Sequence, residues 1–229
     1  MSTDLHLNQH HYHLQLTENV KGRDFIVSDL HGFRSKLDSL LKQVKFSYAH
    51  DRLISVGDLI DRGPESIECL YLIDEPWFWA VRGNHEQMLI NAISLETDTS
   101  WSQWILNGGK WSLGQPKDEL TKWAESLTKL PLTISLPCQN HNIGICHAEY
   151  VQPHWDQRYL ETENLIWGRS RLHKNNETWI DGVDWVFSGH TIVPDVRKLG
   201  NSVFIERGAY LNHDLTLINL QQWLTSELP

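Results

Sequence analysis

Five short stretches of the sequence place side chains that bind metal ions directly after an apolar run. In chain order these side chains are Asp29 and His31, Asp58 and Asp61, Asn84 and His85, His147, and His190. Taken singly, each is more simply a turn residue, a helix cap or a structural histidine. Carboxylate, amide and imidazole ligands without a thiolate are typical of a catalytic Mn²⁺, Fe or Zn site. Their recurrence after five apolar runs therefore predicts a metal site.

The number of candidate ligands predicts two metal ions. One open catalytic ion needs fewer ligands than these stretches offer, and two ions that share a bridging carboxylate lie about 3.5–4 Å apart. Such a pair lowers the pKa of a bound water and neutralises the oxygens of a transferring phosphoryl group. Because carboxylate oxygens favour hard ions, Mn²⁺ is the expected metal, with Fe and Zn as alternatives.

The elements that must position these residues alternate between strands and helices. Buried strands are predicted at 25–28, 52–56 and 77–81, and each is followed by a charged turn and a helix. In an α/β sheet the carboxyl ends of the strands form the edge at which ligands bind. The side chains that follow these strands are therefore expected to converge on one site.

The rest of the chain predicts helices over 101–130, interrupted by Asn107-Gly108-Gly109, and then a series of strands. These strands are predicted at 132–137, 142–147, 185–190, 202–208 and 215–221. Alternating residues on either side of a turn-like stretch predict an N-terminal β-hairpin at about 5–24. Because no Pro- or Ser-rich linker divides the chain, residues 1–229 are expected to form one α/β domain.

Charge and cysteine content argue against several classes of protein. The 20 Lys and Arg residues against 29 Asp and Glu give a net charge of −9, which works against binding nucleic acid through its phosphates. Three cysteines at irregular spacing fit neither a disulfide framework nor a structural zinc site, and they favour a reducing compartment. No apolar run approaches the ~20 residues of a membrane span, and the N-terminus lacks the layout of a secretory signal. We therefore expect a soluble cytoplasmic protein with no membrane or nucleic-acid partner.

Five motifs carry a resemblance to a known family. They are DLHG at 29–32, GDLIDRG at 57–63, RGNHE at 82–86, CHAEY at 146–150 and SGHT at 188–191. In order and spacing they resemble the phosphoprotein phosphatase branch of the calcineurin-like metallophosphoesterases, above all the bacteriophage lambda-type and bacterial serine/threonine phosphatases. The resemblance covers roughly residues 12–220. It implies a two-sheet β-sandwich flanked by helices, with a dimetal site at the carboxyl ends of the strands.

The resemblance also implies a role for each motif residue. The implied metal ligands are, in chain order, Asp29, His31, Asp58, Asn84, His147 and His190. The first two would hold one ion, Asp58 would bridge both ions, and the last three would hold the other. His85 would be the general acid that protonates the leaving alkoxide, oriented by Asp61. A histidine beside a carboxylate keeps its proton and a fixed tautomer, as that role requires.

The implied function is that of a dimetal-dependent serine/threonine protein phosphatase, with phosphotyrosine as a further substrate. Metal-activated hydroxide would attack the phosphorus of a phosphoprotein or phosphopeptide directly. Arg62 and Arg169 would bind the phosphate, since the planar guanidinium donates two hydrogen bonds to its oxygens. No phosphoenzyme is expected, because no cysteine or serine stands among the motifs as a nucleophile.

Two other functions stay open from the sequence. A symmetrical diadenosine tetraphosphate hydrolase resembles this fold and shares most of the ligands, although GNHE rather than GNHD at 83–86 favours the phosphatase. A non-catalytic metal-bound scaffold that recognises phosphoproteins is the third possibility, and an intact pair of His85 and Asp61 argues against it. The physiological substrate, the native metal pair and the oligomeric state are not readable from the motifs.

Several residues near the motifs are expected to serve the structure. Glu86 and Arg82 are expected to form a salt bridge that fixes their loop, and Arg171 is expected to be a solvated surface residue. Packing of helices on the sheet is expected of Trp77, Trp79, Trp101, Trp104 and Trp111. No role is assigned to Arg207, which lies where relatives often have DTGA, or to the His-rich stretch at 6–13.

Overall fold

The structure is a computed structural model that describes residues 12–156, 161–212 and 215–227. The strands are β1 (His13–Gln15), β2 (Asp24–Val27), β3 (Arg52–Ser55), β4 (Phe78–Ala80), β5 (Thr133–Cys138), β6 (His141–Cys146), β7 (Trp185–Ser188), β8 (Arg197–Leu199), β9 (Ser202–Phe204) and β10 (Leu217–Asn219). The α-helices are α1 (Arg34–Gln43), α2 (Ser66–Leu70), α3 (Asn84–Leu95), α4 (Asp98–Leu106), α5 (Lys117–Thr128), α6 (Thr162–Trp167), α7 (Ser170–His173), α8 (Ala209–Asn212) and α9 (Leu220–Glu227). Short 3-10 helices at Tyr71–Asp74 and Gly109–Ser112 follow α2 and α4.

The described strands form two sheets with the expected direction at the site. One sheet has the order β1-β5-β6-β7-β9-β8 and the other has the order β10-β2-β3-β4. Strands β2, β3 and β4 are parallel to one another, as are β6, β7 and β9. Parallel neighbours end at the same edge, so the residues that follow them are brought together. The two-sheet α/β architecture implied by the motifs is confirmed.

Alternate residues of the parallel strands enter two different cores. Ile26 of β2 packs between the sheets with Phe187 of β7, and both side chains are fully buried. Its neighbours Phe25 and Val27 point the other way and pack in the core that contains Leu89 of α3. Successive side chains of a strand point to opposite faces, which explains the alternation. Each buried side chain of this size contributes about 1.5–3 kcal/mol, so the site rests on a sheet packed on both faces.

The strand–turn–helix units predicted in the first part of the chain are present. They are β2 with α1, β3 with α2, and β4 with α3. The break at Asn107-Gly108-Gly109 separates α4 from a 3-10 helix, and α5 follows. Among the described residues, none of the helices is long and apolar enough to span a membrane. That residues 1–229 make a single domain stays a prediction.

The predicted N-terminal hairpin is wrong where the structure describes it. Between residues 12 and 24 the one strand before β2 is β1, and it pairs in parallel with β5 of the other sheet, His13 opposite Thr133. The alternating pattern was correct for a strand, but a pattern of alternation does not identify the partner strand. The part of the hairpin that falls on residues 1–11, with most of the His-rich stretch, lies outside the described residues.

The predicted strand at 215–221 is shorter than expected, because α9 begins at Leu220. Leu220 and Leu224 are four residues apart, which is helical spacing, and both are buried between the sheets. The short elements β8, α6 and α7 were not predicted. They consist of three to six residues each, which is too little sequence for a periodic pattern to emerge.

Candidate metal centre and active site

The candidate ligands meet at the carboxyl ends of β2, β3, β6 and β7 and at the start of α3, with Asp58 in the middle. The side chains of His31, Asp58 and His85 form one group that could hold an ion, and Asp58, His147 and His190 form another. Nε2 of His31 lies 3.6 Å from Oδ2 of Asp58, and Nε2 of His147 lies 3.4 Å from Oδ1. One carboxylate therefore belongs to both groups, as expected of a bridging ligand.

The backbone of the site is strained. Five of its non-glycine residues have left-handed φ angles: His31 (44°), Asp58 (49°), Asp61 (75°), Arg62 (71°) and His190 (63°). Each such conformation costs about 1–3 kcal/mol and persists only where surrounding packing enforces it. Glycines allow the close approach that results, since a Cβ atom at Gly83 would clash with Asp58 and one at Gly189 would clash with Asp29.

Hydrogen bonds to carbonyl oxygens fix the tautomers of two histidines. Nδ1 of His31 lies 3.1 Å from the carbonyl oxygen of Ile60, and Nδ1 of His147 lies 2.8 Å from that of Val56. A carbonyl oxygen can only accept, so Nδ1 carries the proton in both rings. When the rings are neutral, each Nε2 presents its lone pair toward Asp58. This arrangement is the usual support for a metal-ligating histidine.

The atoms around Asn84 are hydrogen-bond acceptors that repel one another, so they are better suited to binding a cation. Nε2 of His147 lies 3.0 Å from Oδ1 of Asn84 and 3.4 Å from Oδ1 of Asp58. Burial lowers the pKa of His147, so its ring is neutral and all three atoms are acceptors. Nδ1 of His190 approaches the same Asn84 oxygen at 2.9 Å, and Nε2 of His190 is buried without a partner. A divalent cation would remove the repulsion among these acceptors.

Asp29 lies at the edge of the first ligand group. Its Oδ2 atom is 3.9 Å from Nε2 of His31, and both of its oxygens accept the backbone N–H of His190, at 3.2 and 3.0 Å. Burial raises its pKa well above the ordinary value, and the charges of Glu206 and Asp58 raise it further. Negative charge is therefore concentrated around Asp29 with too few donors to balance it, which also fits a cation site.

His85 and Asp61 form the predicted pair. Nδ1 of His85 lies 2.7 Å from Oδ2 of Asp61, while Nε2 is buried without a partner and lies 3.9 Å from Oδ2 of Asp58. Burial alone would lower the pKa of His85, but Asp58 and Asp61 outweigh it and raise the pKa. A buried imidazole with one nitrogen fixed and the other free can donate a proton to a bound ligand.

Two tryptophans complete the surroundings of Asp61, and sequence reasoning missed them. The indole N–H of Trp104 lies 3.1 and 3.0 Å from the two oxygens of Asp61, and that of Trp111 lies 2.7 Å from Oδ1. Trp104 also packs in the core as predicted. The available signal in the sequence was only that both tryptophans flank the Asn107-Gly108-Gly109 break.

The two predicted phosphate-binding arginines are exposed but are placed differently. Arg62 lies over the ring of Tyr210, 4.1 Å from its centre, and Nη1 of Arg62 donates to Nε2 of His31 at 2.7 Å. Arg169 donates to the hydroxyl of Thr191 at 3.0 Å, beside His190 in the chain. Arg62 thus touches a candidate ligand directly, whereas Arg169 reaches the rim of the site.

Glu86 fixes the loop, but not by the predicted salt bridge. Its carboxylate accepts backbone N–H groups from Asp58 (2.9 Å), Leu59 (2.8 Å) and Gly83 (2.8 Å). The side chain of Arg82 instead donates to carbonyl oxygens at the end of α5. Three backbone donors satisfy a buried carboxylate without a charged partner, so Glu86 ties the GDLIDRG turn to the start of α3.

Arg171 is buried, and the prediction of a solvated surface residue is wrong. It is 4% exposed, and its guanidinium donates to the carbonyl oxygens of Asn176 and Thr178. Glu149 of the CHAEY motif holds the same segment from the other side, accepting the N–H and O–H of Ser170 and the N–H of Arg171. Burial is possible because Nη1 of Arg171 and the oxygens of Glu149 are paired, although Nε of Arg171 is buried without a hydrogen-bond partner. The segment also carries Arg169.

The segment from the end of β9 into α8 adds two residues that the sequence reasoning did not assign to the site. Glu206 is buried, accepts the N–H of Gly208 at 2.6 Å, and has its Oε2 atom unpartnered. Burial raises the pKa of Glu206 to about 7. The ring of Tyr210 packs against that of His31, with 5.2 Å between the ring centres. Arg207, by contrast, turns toward the carbonyl oxygen of residue 194 at the surface.

Comparisons with known proteins agree with this geometry. Residues 25–194 match the family model of the calcineurin-like phosphoesterases. The chain is 36% identical over 202 residues to serine/threonine-protein phosphatase 1 of Salmonella typhimurium, covering 86% of this chain and 91% of that protein. It is 34% identical over 212 residues to serine/threonine-protein phosphatase 2 of Escherichia coli, with 89% and 91% coverage.

A solved structure shares the fold. The crystal structure of a candidate diadenosine tetraphosphatase superposes with a TM-score of 0.67 at 24% identity, covering 90% of this chain and 92% of that one. The family match extends from β2 to the segment after β7 and so includes all the candidate metal ligands. The chain belongs to the calcineurin-like phosphoesterase family.

Proposed function

We propose that the protein is a metal-dependent phosphomonoesterase that removes phosphate from phosphoserine and phosphothreonine in proteins, with phosphotyrosine as a further substrate. The observation that carries this proposal is the position of Asp58, whose carboxylate lies 3.6 Å from Nε2 of His31, 3.4 Å from Nε2 of His147 and 3.9 Å from the unpartnered Nε2 of His85. A shared carboxylate beside a free imidazole nitrogen combines a place for two cations with a proton donor. Both contribute to metal-assisted hydrolysis of a phosphate ester.

Two divalent ions, with Mn²⁺ as the proposed metal, would be held by six side chains. These are Asp29 and His31 for one ion, Asp58 between the two, and Asn84, His147 and His190 for the other. When bound, the ions would supply a water of lowered pKa as the nucleophile and would neutralise the phosphoryl oxygens. The fixed tautomers of His31 and His147 support this assignment, because their lone pairs already face Asp58.

His85 would protonate the oxygen that leaves phosphorus. Its Nδ1–H is held by Asp61 at 2.7 Å, which leaves Nε2 as the nitrogen that faces the substrate. A serine alkoxide is a poor leaving group, so a proton delivered at this point contributes about 10²–10⁴-fold to the rate. Asp61 orients the ring and stabilises its protonated form.

Arg62 and Arg169 would bind the phosphate from the open side of the site. Both are exposed and lie next to candidate ligands, Arg62 beside His31 and Arg169 beside His190. In this role Nη1 of Arg62 would donate to the phosphate instead of to Nε2 of His31, which would be a metal ligand, while the guanidinium stays over the ring of Tyr210. The cation–π contact with Tyr210 supports a defined position for the guanidinium.

The cysteines support attack by water rather than by the protein. Burial raises the pKa of Cys69 and of Cys146 to about 12 and that of Cys138 to about 11. A thiolate nucleophile is therefore not available at neutral pH. All three thiols are free and buried, which agrees with the proposed cytoplasmic setting. The relatives named as serine/threonine phosphatases, at 36% and 34% identity, support phosphoproteins as the substrate class.

The decisive experiment measures phosphate release from a phosphoserine peptide and from diadenosine tetraphosphate, in Mn²⁺ and in EDTA. We expect turnover of the peptide with Mn²⁺, none in EDTA, and a loss of about 100-fold or more in His85→Asn. His173→Asn is the matched control, because His173 is exposed at the end of α7 and should leave turnover unchanged.

The other outcomes assign the protein differently. Release from the dinucleotide alone would make it a diadenosine tetraphosphate hydrolase. No release from either compound, with Mn²⁺ bound in a calorimetric titration, would contradict catalysis and favour a phosphoprotein-binding scaffold.

A further inference from the structure

A row of four tryptophans lies beside the candidate acid pair. Trp101, Trp104, Trp111 and Trp123 follow one another with ring centres 5.6, 5.9 and 5.8 Å apart. The two inner members direct their indole N–H groups to Asp61, while the two outer members only extend the aromatic packing. The chain thus contains two tryptophans that touch Asp61 and two close neighbours that do not.

The carboxylate of Asp61 is the acceptor in each of its hydrogen bonds with these side chains. Trp104 approaches Oδ1 and Oδ2 at 3.1 and 3.0 Å, Trp111 approaches Oδ1 at 2.7 Å, and His85 approaches Oδ2 at 2.7 Å. An indole nitrogen can only donate, so the two indoles require Asp61 to be an acceptor. Asp61 is fully buried, and a buried carboxylate without such donors would be strongly destabilised.

The segment that carries both tryptophans also contacts the backbone of the same turn. Gly108 has a φ of 122°, its carbonyl oxygen accepts the N–H of Arg62 at 3.3 Å, and a Cβ atom there would lie 2.7 Å from the Arg62 nitrogen. A Cβ atom at Gly109 would lie 2.7 Å from the ring of Trp104. The Asn107-Gly108-Gly109 break is therefore a point of close approach, and it sets both indoles against Asp61.

We infer that Trp104 and Trp111 are positioning residues for the proton donor of the reaction, an inference that rests on the function proposed above. Both indoles donate to Oδ1 of Asp61, and that of Trp104 also donates to Oδ2. These hydrogen bonds hold the carboxylate in one orientation, in which Oδ2 accepts the Nδ1–H of His85. That orientation fixes the ring so that Nε2 faces the leaving oxygen. Without the indoles the carboxylate can rotate or accept water, and His85 loses its single placement.

The dependence on leaving group tests this inference. A poor leaving group needs the proton in the transition state, whereas p-nitrophenolate leaves without one. In Trp111→Phe we expect kcat for a phosphoserine peptide to fall about 10-fold, and in the Trp104→Phe, Trp111→Phe double variant about 100-fold, within the range of a general acid. The kcat for p-nitrophenyl phosphate should fall by less than about 3-fold, and KM should change little. Trp111→Phe is the primary variant, because Trp111 is only partly buried and the change keeps an aromatic ring while it removes the N–H.

Trp101→Phe and Trp123→Phe are the matched controls, since they lose the same N–H in the same aromatic row without touching Asp61. We expect neither to alter the ratio of the two kcat values. An equal fall on both substrates, or the same ratio in the controls as in Trp111→Phe, would overturn the inference. If wild type cleaves p-nitrophenyl phosphate but not the peptide, the proposed substrate class fails, and phenyl phosphate then serves as the poor leaving group.

A second measurement does not depend on turnover. The Nδ1–H proton of His85, held at 2.7 Å by a buried carboxylate, should give a downfield proton NMR resonance that is absent in His85→Asn. We expect this resonance to be lost or to exchange faster with water in the double variant, and to persist in Trp101→Phe. A resonance that is unchanged in the folded double variant would contradict the positioning role, whatever the substrate of the enzyme.

Discussion

Asp58 and Asp61, two carboxylates of one turn, are held in opposite ways. Asp61 is saturated by N–H groups of His85, Trp104 and Trp111. Asp58 accepts the backbone N–H of His85 at 3.0 Å and otherwise faces histidine ring nitrogens at 3.4–3.9 Å. The fold completes the surroundings of one carboxylate with its own donors and leaves the other open to a cation.

Other buried carboxylates also differ in whether the fold supplies their hydrogen-bond donors. Asp24 is paired with the guanidinium of Arg52 at 2.6 Å, and Glu149 accepts three donors from the segment after α6. Burial raises the pKa of Asp29, and the neighbouring charge of Glu206 raises it further. A carboxylate paired with donors of the fold supports folding, whereas the charge of Asp29 costs free energy until a cation arrives. Substitutions should therefore separate stability from activity.

The largest effect is expected from Asp29→Asn. Activity in Mn²⁺ should fall by more than about 100-fold, since even the residues behind metal ligands are worth 10–100-fold. In EDTA, however, the free energy of unfolding should rise by about 0.5–2 kcal/mol, because the substitution removes a buried charge that neighbouring carboxylates repel. Urea denaturation in EDTA and phosphate release in Mn²⁺ measure the two changes.

Asp24→Asn, at the start of β2, is the matched control, and the changes in stability and activity are expected to have the opposite pattern. It should destabilise the protein by about 2 kcal/mol through loss of charged hydrogen bonds to Arg52, with little effect on kcat. If Asp29→Asn in EDTA lowered the stability as much as Asp24→Asn does, the two carboxylates would not differ in the way proposed here.

An intermediate effect is expected from Glu149→Gln. The amide cannot accept all three donors from Ser170 and Arg171, so the free energy of unfolding should fall by about 1–3 kcal/mol. Because this segment carries Arg169, KM for the phosphopeptide should rise about 5-fold, while kcat stays within about 2-fold of wild type. Steady-state kinetics with Glu163→Gln, an exposed change on α6, as the control would show whether the effect is specific. A fall in kcat alone would place Glu149 in the reaction rather than behind Arg169.

Much of this arrangement could be predicted from local sequence patterns. The apolar runs before Asp29, Asp58 and Asn84 are buried strands, and the residues after them converge because parallel strands end at one edge. The alternation around His13 also predicted a strand correctly. Its partner β5 lies 120 residues away, and local alternation contains no information about so distant a pairing.

The remaining features depend on contacts that no spacing encodes. The indole of Trp111 reaches Asp61 across 50 residues of chain, and Arg171 is buried because carbonyl oxygens of a following loop happen to surround it. Both residue types are ordinarily explained by packing or by solvent exposure. Sequence reasoning assigns such residues by their average behaviour, so it fails where tertiary contacts give them a specific partner.

The smallest effect is expected from Asp51→Asn, which removes a carboxylate that accepts hydrogen bonds from donors of the fold. Asp51 accepts the N–H of Ser47 at 2.8 Å and the N–H and guanidinium of Arg23 at 2.8 and 2.6 Å. Burial alone would raise the pKa of Asp51, but these hydrogen bonds outweigh it and lower the pKa. At pH 7 the variant should lose about 1 kcal/mol of stability, with activity unchanged.

The pH dependence gives the sign of this contribution. A carboxyl whose pKa is lower in the folded state stabilises the protein above its unfolded pKa of about 3.9, and the stabilisation is lost as the pH falls through the folded value. The difference between wild type and variant in urea denaturation should therefore be constant from about pH 7 to pH 5 and shrink below about pH 4. Asp38→Asn, which breaks an exposed pair with Arg34, should cost less than about 0.5 kcal/mol at any pH. A difference that grows as the pH falls would mean that the pKa of Asp51 is raised in the folded protein, as burial raises that of Asp29, and would contradict the hydrogen-bonded carboxylate described here.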